Sequence, residues 1–290
     1  MIEIREVSPR DGLQGERVVT PAARAEVVSA LVEAGLRDVE VGAFVSPQAV
    51  PAMAGSDEVI RLVGGSGTAR WWALVPNRRG VELARTCGID ALTLTISASD
   101  GYSQKNVNRT TEQAIAALAD VVSAANGSEL DAVVSCAFGS PFEDVTVQSV
   151  ARVVDDIRSA GIARVTLADT TGAATPRRVE RVLSAVDGDV GLHLHDTRGT
   201  ALANALAGLD HGATRFDTSV GGLGGSPFAP GAGGNLATED LVLVLEDAGV
   251  DTGIDLDALV RIAARLAELV GHAVPGRTAA AGPLPRFDTD

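Results

Sequence analysis

The stretch VGLHLHDTRGTALANALAGLDHGATRFDTSV, residues 190–220, reads as a strand, a helix and a second strand in immediate succession. VGLHLH (190–195) is a short apolar run broken only by histidines, 200–210 is an alanine- and leucine-rich helical run, and TRFDTSV (214–220) returns to strand composition. Gly212 stands between helix and second strand, where glycine reaches the left-handed C-cap conformation without a Cβ clash. A strand joined to the next through a helix predicts parallel pairing with a right-handed crossover.

The same unit recurs in both directions. IEIREV (2–7), RDVEVG (37–42), RWWALV (70–75), ALTLTIS (91–97), DAVVSCAF (131–138) and RVTLAD (164–169) supply six further strands, and helices are predicted at 21–34, 78–87, 111–125, 146–160, 176–185 and 236–247. EAGLRDVE, RTCGIDAL and SAGIARVT repeat the glycine stop before a strand. Eight strand–helix pairs predict an α/β fold of the closed (β/α)8 TIM-barrel type, with a C-terminal helical extension at 255–270. All 290 residues are expected in one catalytic domain, with the tail from about 273 to 290 irregular. No G-x-G-x-x-G follows the first strand, which argues against a dinucleotide-binding sheet.

Composition agrees. Apolar residues make up 46% and aromatics only 3%, so the core is expected to be Val, Leu, Ile and Ala. A net charge of −14 argues against a nucleic-acid partner, which needs a basic stripe. Cys87 and Cys136 lie in apolar surroundings and predict free buried thiols. The N-terminus MIEIREVSPRDG shows no signal or membrane segment, so a cytoplasmic protein without a membrane partner is expected. A homo-oligomer is a common state for such enzymes.

In a barrel of this kind the C-terminal strand ends form the active face. The first strand runs into SPRDGLQGE, the second carries Glu40, the sixth ends at Asp169 and the seventh carries His193 and His195. Two histidines two apart on a strand point to one face. With Asp11 they form a mixed N and O set with room for substrate, suited to Mg²⁺ or Mn²⁺; a lone H-x-H serves equally as core hydrogen-bonders. Arg10 could stabilise negative charge on a reacting carbonyl or pair with Glu40 or Asp169. Glu40 and Asp169 need partners inside an apolar barrel and are read as positioning groups. GGLGGSPFAPGAGGN (221–235), with seven glycines and two prolines, reads as a lid loop after the eighth strand, and the Asn235 amide oxygen could add a ligand.

SPRDGLQGE, VEVGAFVSP with VPAM after it, SASDGYSQKN, SCAFGSPFE, ADTTG, HLHDTRGTALAN and GLGGSPFAPGAGGNLATED follow one another in this order over about 6–259. Together they resemble the 3-hydroxy-3-methylglutaryl-CoA lyase family, within the wider group of metal-dependent barrel lyases and synthases related to isopropylmalate synthase. The resemblance implies that Asp11, His193, His195 and Asn235 hold the metal, that Arg10 stabilises an enolate oxygen and that Glu40 is an active-site glutamate. It implies an acyl-CoA substrate chelated through carboxylate and tertiary hydroxyl. Asp11, His193 or a water would take the hydroxyl proton, and acetoacetate and acetyl-CoA would be the products, a step of leucine degradation. H-L-H-D-T, the long loop and the lack of an extra domain favour the lyase branch over the sister synthases.

Ser226 departs from the family pattern, which has a cysteine at that place, thought to shuttle a proton. A thiol of pKa ~8.5 does this near neutrality and a serine hydroxyl far less readily. Another group moves the proton, or the substrate is a different 3-hydroxyacyl-CoA such as citramalyl-CoA. A barrel hydrolase would draw on His211 and His272, and a silent acyl-CoA binder would bind without turnover. Lys105, Arg78 and Arg79 could meet CoA phosphates, although exposed basic residues are usually only solvated.

Overall fold

The structure is a computed structural model and describes residues 2–65, 67–89, 91–225 and 233–282. The expected strands form: β1 (Glu3–Glu6), β2 (Asp38–Ala43), β3 (Arg70–Leu74), β4 (Ala91–Ser97), β5 (Glu129–Ser135), β6 (Arg164–Ala168), β7 (Gly191–His193) and β8 (Arg215–Thr218). They close into a parallel barrel in sequence order, with β1 beside β8 and Arg5 opposite Asp217. The expected helices appear as α1 (Pro21–Glu33), α3 (Arg78–Thr86), α7 (Val147–Ser159), α8 (Pro176–Leu183), α9 (Ala201–Asp210), α10 (Thr238–Asp247) and α11 (Leu256–Val270). The run at 111–125 forms α5 (Thr111–Ala116) and α6 (Leu118–Ala125), with Ala117 still helical at φ −76°, ψ −11°.

Three helices go beyond the sequence reading. α2 (Ser56–Val63) fills the β2–β3 crossover, α4 (Asp100–Val107) follows β4, and α12 (Arg277–Ala281) lies in the tail expected to be irregular. Asp240 caps α12 by accepting from Arg277 N (3.2 Å) and Thr278 N (2.7 Å). Gly276 N donates to Gly221 O (2.8 Å), so the tail docks at the base of the glycine-rich loop. Among the described residues no helix is long and apolar enough to cross a membrane.

Strand alternation divides the core into two zones. Ile4, Val39, Val41, Leu92, Leu94, Val134, Val165, Leu167, Leu192 and Phe216 are buried with the helices' apolar residues in one cluster. Each such side chain contributes about 1.5–3 kcal/mol by leaving water. The alternate positions face the barrel axis and are largely polar, which corrects the expectation of an aliphatic interior. Arg5 forks onto Asp217 (2.8 and 2.8 Å) and reaches across to Asp131 on β5 (2.9 Å). Trp72 Nε1 donates to Asp38 (2.7 Å), and its ring has the guanidiniums of Arg5, Arg70 and Arg164 at 4.8, 5.0 and 5.0 Å. Charges survive here because each has a partner; an unpaired one would cost several kcal/mol. Cys136 is buried and free, its thiol pushed up to about 12 by burial, whereas Cys87 is only partly buried.

Candidate metal centre at the barrel mouth

After β1 the chain enters a wide helical turn, Ser8–Gly12, before it leaves the mouth of the barrel. Gly12 N and Leu13 N reach back five residues, to Val7 O (3.1 Å) and Ser8 O (3.0 Å), a pattern that recurs at functional sites. Gly12 is required by packing: a Cβ there would lie 2.8 Å from Ser219 Oγ, just past the end of β8. This turn, and not the strand itself, carries Arg10 and Asp11.

His193 ends β7, and the backbone continues through His195, which bridges antiparallel to Asn235. Leu236 N donates to Leu194 O (2.8 Å) and Asp196 N to Gly234 O (2.8 Å), so the far end of the glycine-rich loop is stitched to the histidine strand. One ligand atom each from Asp11, His193 and His195 lies within 4.8 Å of the others, and all three residues are buried. The Nε2 atoms of the two histidines face each other at 3.2 Å.

Asn235 Nδ2 donates to Asp11 Oδ2 (2.8 Å) and to Leu223 O (2.8 Å), while its Oδ1 is buried without a partner. Gln14 Nε2 donates to Asp11 Oδ1 (2.7 Å). Gly224 closes over this group, at φ +108°, where a Cβ would fall 2.3 Å from Asn235 Nδ2 and 3.0 Å from Asp11 Oδ2. No other residue fits so near the carboxylate.

Converging imidazole nitrogens, a carboxylate and an amide oxygen that lacks a donor make a buried, acceptor-rich pocket. That donor set suits a divalent cation. Arg10 is shared between two carboxylates, Asp11 and Glu40, so the pocket's acidic groups are not fully offset by it. His211 sits on Ala207 O and His272 on Ala273 O and Glu16, so neither joins the cluster.

Arg10 joins two carboxylates, with Nη1 on Asp11 (2.5 Å) and Nε on Glu40 (2.5 Å), and Thr93 Oγ1 also donates to Glu40. Burial opposes the charge of Asp11, but Arg10, His193 and His195 nearby hold its carboxyl at about 2. Burial and the neighbouring His193 push His195 down to about 4, leaving a neutral ring. For His193, burial is outweighed by Asp217 and Asp11, which raise its proton affinity. Burial lifts Asp169 to about 6 against the backbone donors Ala173 N (2.7 Å) and Ala174 N (2.9 Å), and its Oδ2 is buried without a partner.

Arg10, Asp11, Glu40, His193, His195 and Asn235 are thus assembled in one place, whereas Ser226 and the middle of the expected lid lie outside the described residues. Of the basic residues weighed for phosphate contact, Lys105 packs over the Phe142 ring (4.3 Å) and Arg78 pairs with Glu82 (2.9 Å) on the surface of α3. Arg5, Asp217 and Gln14 were not visible as site residues from sequence. Only Gln14 had a local signal, three residues after Asp11 and just past the turn.

Comparison with known proteins agrees with this geometry. Residues 1–266 match the family model described as HMGL-like. The chain is 39% identical over 281 residues to the hydroxymethylglutaryl-CoA lyase of Pseudomonas mevalonii, covering 94% of this chain and 93% of the relative. It is 38% identical to the (R)-citramalyl-CoA lyase of Chloroflexus aurantiacus, covering 98% and 95%. An HMG-CoA lyase from A. baumannii, solved in complex with coenzyme A and 3-methylmalate, superposes with a TM-score of 0.93 at 37% identity, covering 99% of this chain and 98% of that one.

Proposed function

As the chain belongs to the HMGL-like family and is a carbon–carbon lyase, we propose that it cleaves a 3-hydroxy-3-methylglutaryl-CoA-like thioester to acetoacetate and acetyl-CoA. The observation that carries this reading is the buried Asp11–His193–His195 cluster with Arg10 bonded directly to Asp11. We assign Asp11, His193, His195 and Asn235 to holding Mg²⁺ or Mn²⁺. When bound, the ion supplies Lewis acidity to the substrate's carboxylate and tertiary hydroxyl.

The remaining chemistry falls to side chains. Loss of the hydroxyl proton lets the bond between the carbinol carbon and the thioester α-carbon break, its electron pair passing into the thioester enolate. Arg10, rigid and permanently charged between Glu40 and Asp11, donates to the enolate oxygen. Protonation of the α-carbon completes acetyl-CoA. Asp11 is committed to the proposed cation and to Arg10, Gln14 and Asn235, so another group is needed to take the hydroxyl proton. Asp169 is our candidate, because its backbone N–H donates to His193 O (2.8 Å), which sets it beside the histidine strand, and its Oδ2 is buried without a partner.

Serine at position 226, where the family has cysteine, favours a second reading: the same reaction on another 3-hydroxyacyl-CoA, citramalyl-CoA being the first to try. A panel of such thioesters, with Mg²⁺ and mass-spectrometric readout, separates the two in wild type and Ser226→Cys. Equimolar acetoacetate and acetyl-CoA are expected from the hydroxymethylglutaryl thioester. Turnover of citramalyl-CoA alone would move the assignment to that substrate, and no cleavage of any thioester by either protein would overturn the lyase reading.

A further inference from the structure

We infer that Asp217, clamped by Arg5, is the positioning residue that fixes the ring and tautomer of His193. The inference rests on the metal-site reading above and extends it inward. Asp217 Oδ2 lies 3.3 Å from His193 Nδ1, and both residues are buried. A buried carboxylate beside a ring nitrogen draws the proton to that nitrogen and leaves Nε2, the one that faces His195 at 3.2 Å, with its lone pair free.

Asp217 cannot turn away, because Arg5 holds both its oxygens, Nε on Oδ1 and Nη2 on Oδ2, each at 2.8 Å. Arg5 is held in turn: Nη1 lies 2.9 Å from Asp131 on the opposite side of the barrel, and the guanidinium lies over Trp72 at 4.8 Å. Burial opposes the Asp217 charge, but Arg5 and His193 hold the carboxyl well below the usual carboxylate range. Rotation of His193 about its side-chain bonds would break the hydrogen bond between its Nδ1 and Asp217. A chain of fully packed contacts therefore runs from β5 across the axis to one proposed ligand.

The proposal is tested on metal-free protein by nitrogen-detected NMR of the histidine rings, and on the same protein by Mn²⁺ titration followed by electron paramagnetic resonance. Wild type is expected to carry a proton on His193 Nδ1; an unprotonated Nδ1 overturns the proposal without any variant. Asp217→Asn removes the charge that draws this proton, and its amide can donate to Nδ1 instead. Mn²⁺ affinity is expected to fall about 10–100-fold, the usual effect of removing a carboxylate behind a histidine ligand, with the unfolding midpoint reported alongside. Equal Mn²⁺ affinity in wild type and variant overturns the positioning role. Failure of wild type to bind Mn²⁺ at all would instead strike the metal reading, leaving the proton on Nδ1 as the separate measure of this inference.

Discussion

Arg10→Ala is expected to lower kcat about 10²–10³-fold, the cost of removing one preorganised donor to a developing oxyanion, with KM changed far less. The split follows from where Arg10 sits. Its Nε and Nη1 are committed to Glu40 and Asp11, so the guanidinium is oriented before substrate arrives. A donor fixed in this way acts on charge that exists only in the transition state, and its loss therefore appears in turnover. The variant also strips Glu40, which is 0% exposed, of its ion-pair partner, leaving Thr93 as its side-chain hydrogen-bond donor among the described residues. Breaking a buried pair of this kind costs about 3–5 kcal/mol, so turnover is to be read well below the variant's own unfolding midpoint. Arg10→Lys keeps the charge without the fork and is expected to fall between wild type and alanine. Folded Arg10→Ala protein within about twofold of wild type would remove Arg10 from the reaction.

His193→Ala is expected to have the larger effect, about 10³-fold or more, because the cation's Lewis acidity and the alignment of substrate are lost together. It opens the cluster at the residue that touches both His195 and Asp217. Arg5 still pairs with Asp217 and Asp131 in the variant, so the barrel's interior ion network stays satisfied and the loss reports the site more than the fold. Activity is expected to return in part at high Mn²⁺ concentration if Asp11, His195 and Asn235 keep a weakened site. Undiminished turnover without His193 would refute the ligand assignment.

The eight strands and the polar residues at their ends were legible because each rests on local signals: short branched runs, glycine helix stops and the H-x-H spacing. Arg10 and Asp11 were legible as a pair, but the wide turn that carries them was not, since its bonds span five residues and depend on Gly12 packing against Ser219. The polar barrel interior escaped the sequence reading for a different reason. Arg5 meets Asp217 only because β1 closes onto β8, 212 residues away. A charged residue in a strand looks the same whether it faces solvent or the axis of a barrel. The short helix Arg277–Ala281 was hidden because its cap, Asp240, comes from a distant helix.

The central claim is that Asp11, His193 and His195 surround one divalent ion. Crystals grown with saturating Mn²⁺ and measured at the manganese absorption edge address it directly. One anomalous peak is expected, about 2.0–2.3 Å from an Asp11 carboxylate oxygen and from Nε2 of each histidine. A peak elsewhere, or none between these three side chains, would contradict it.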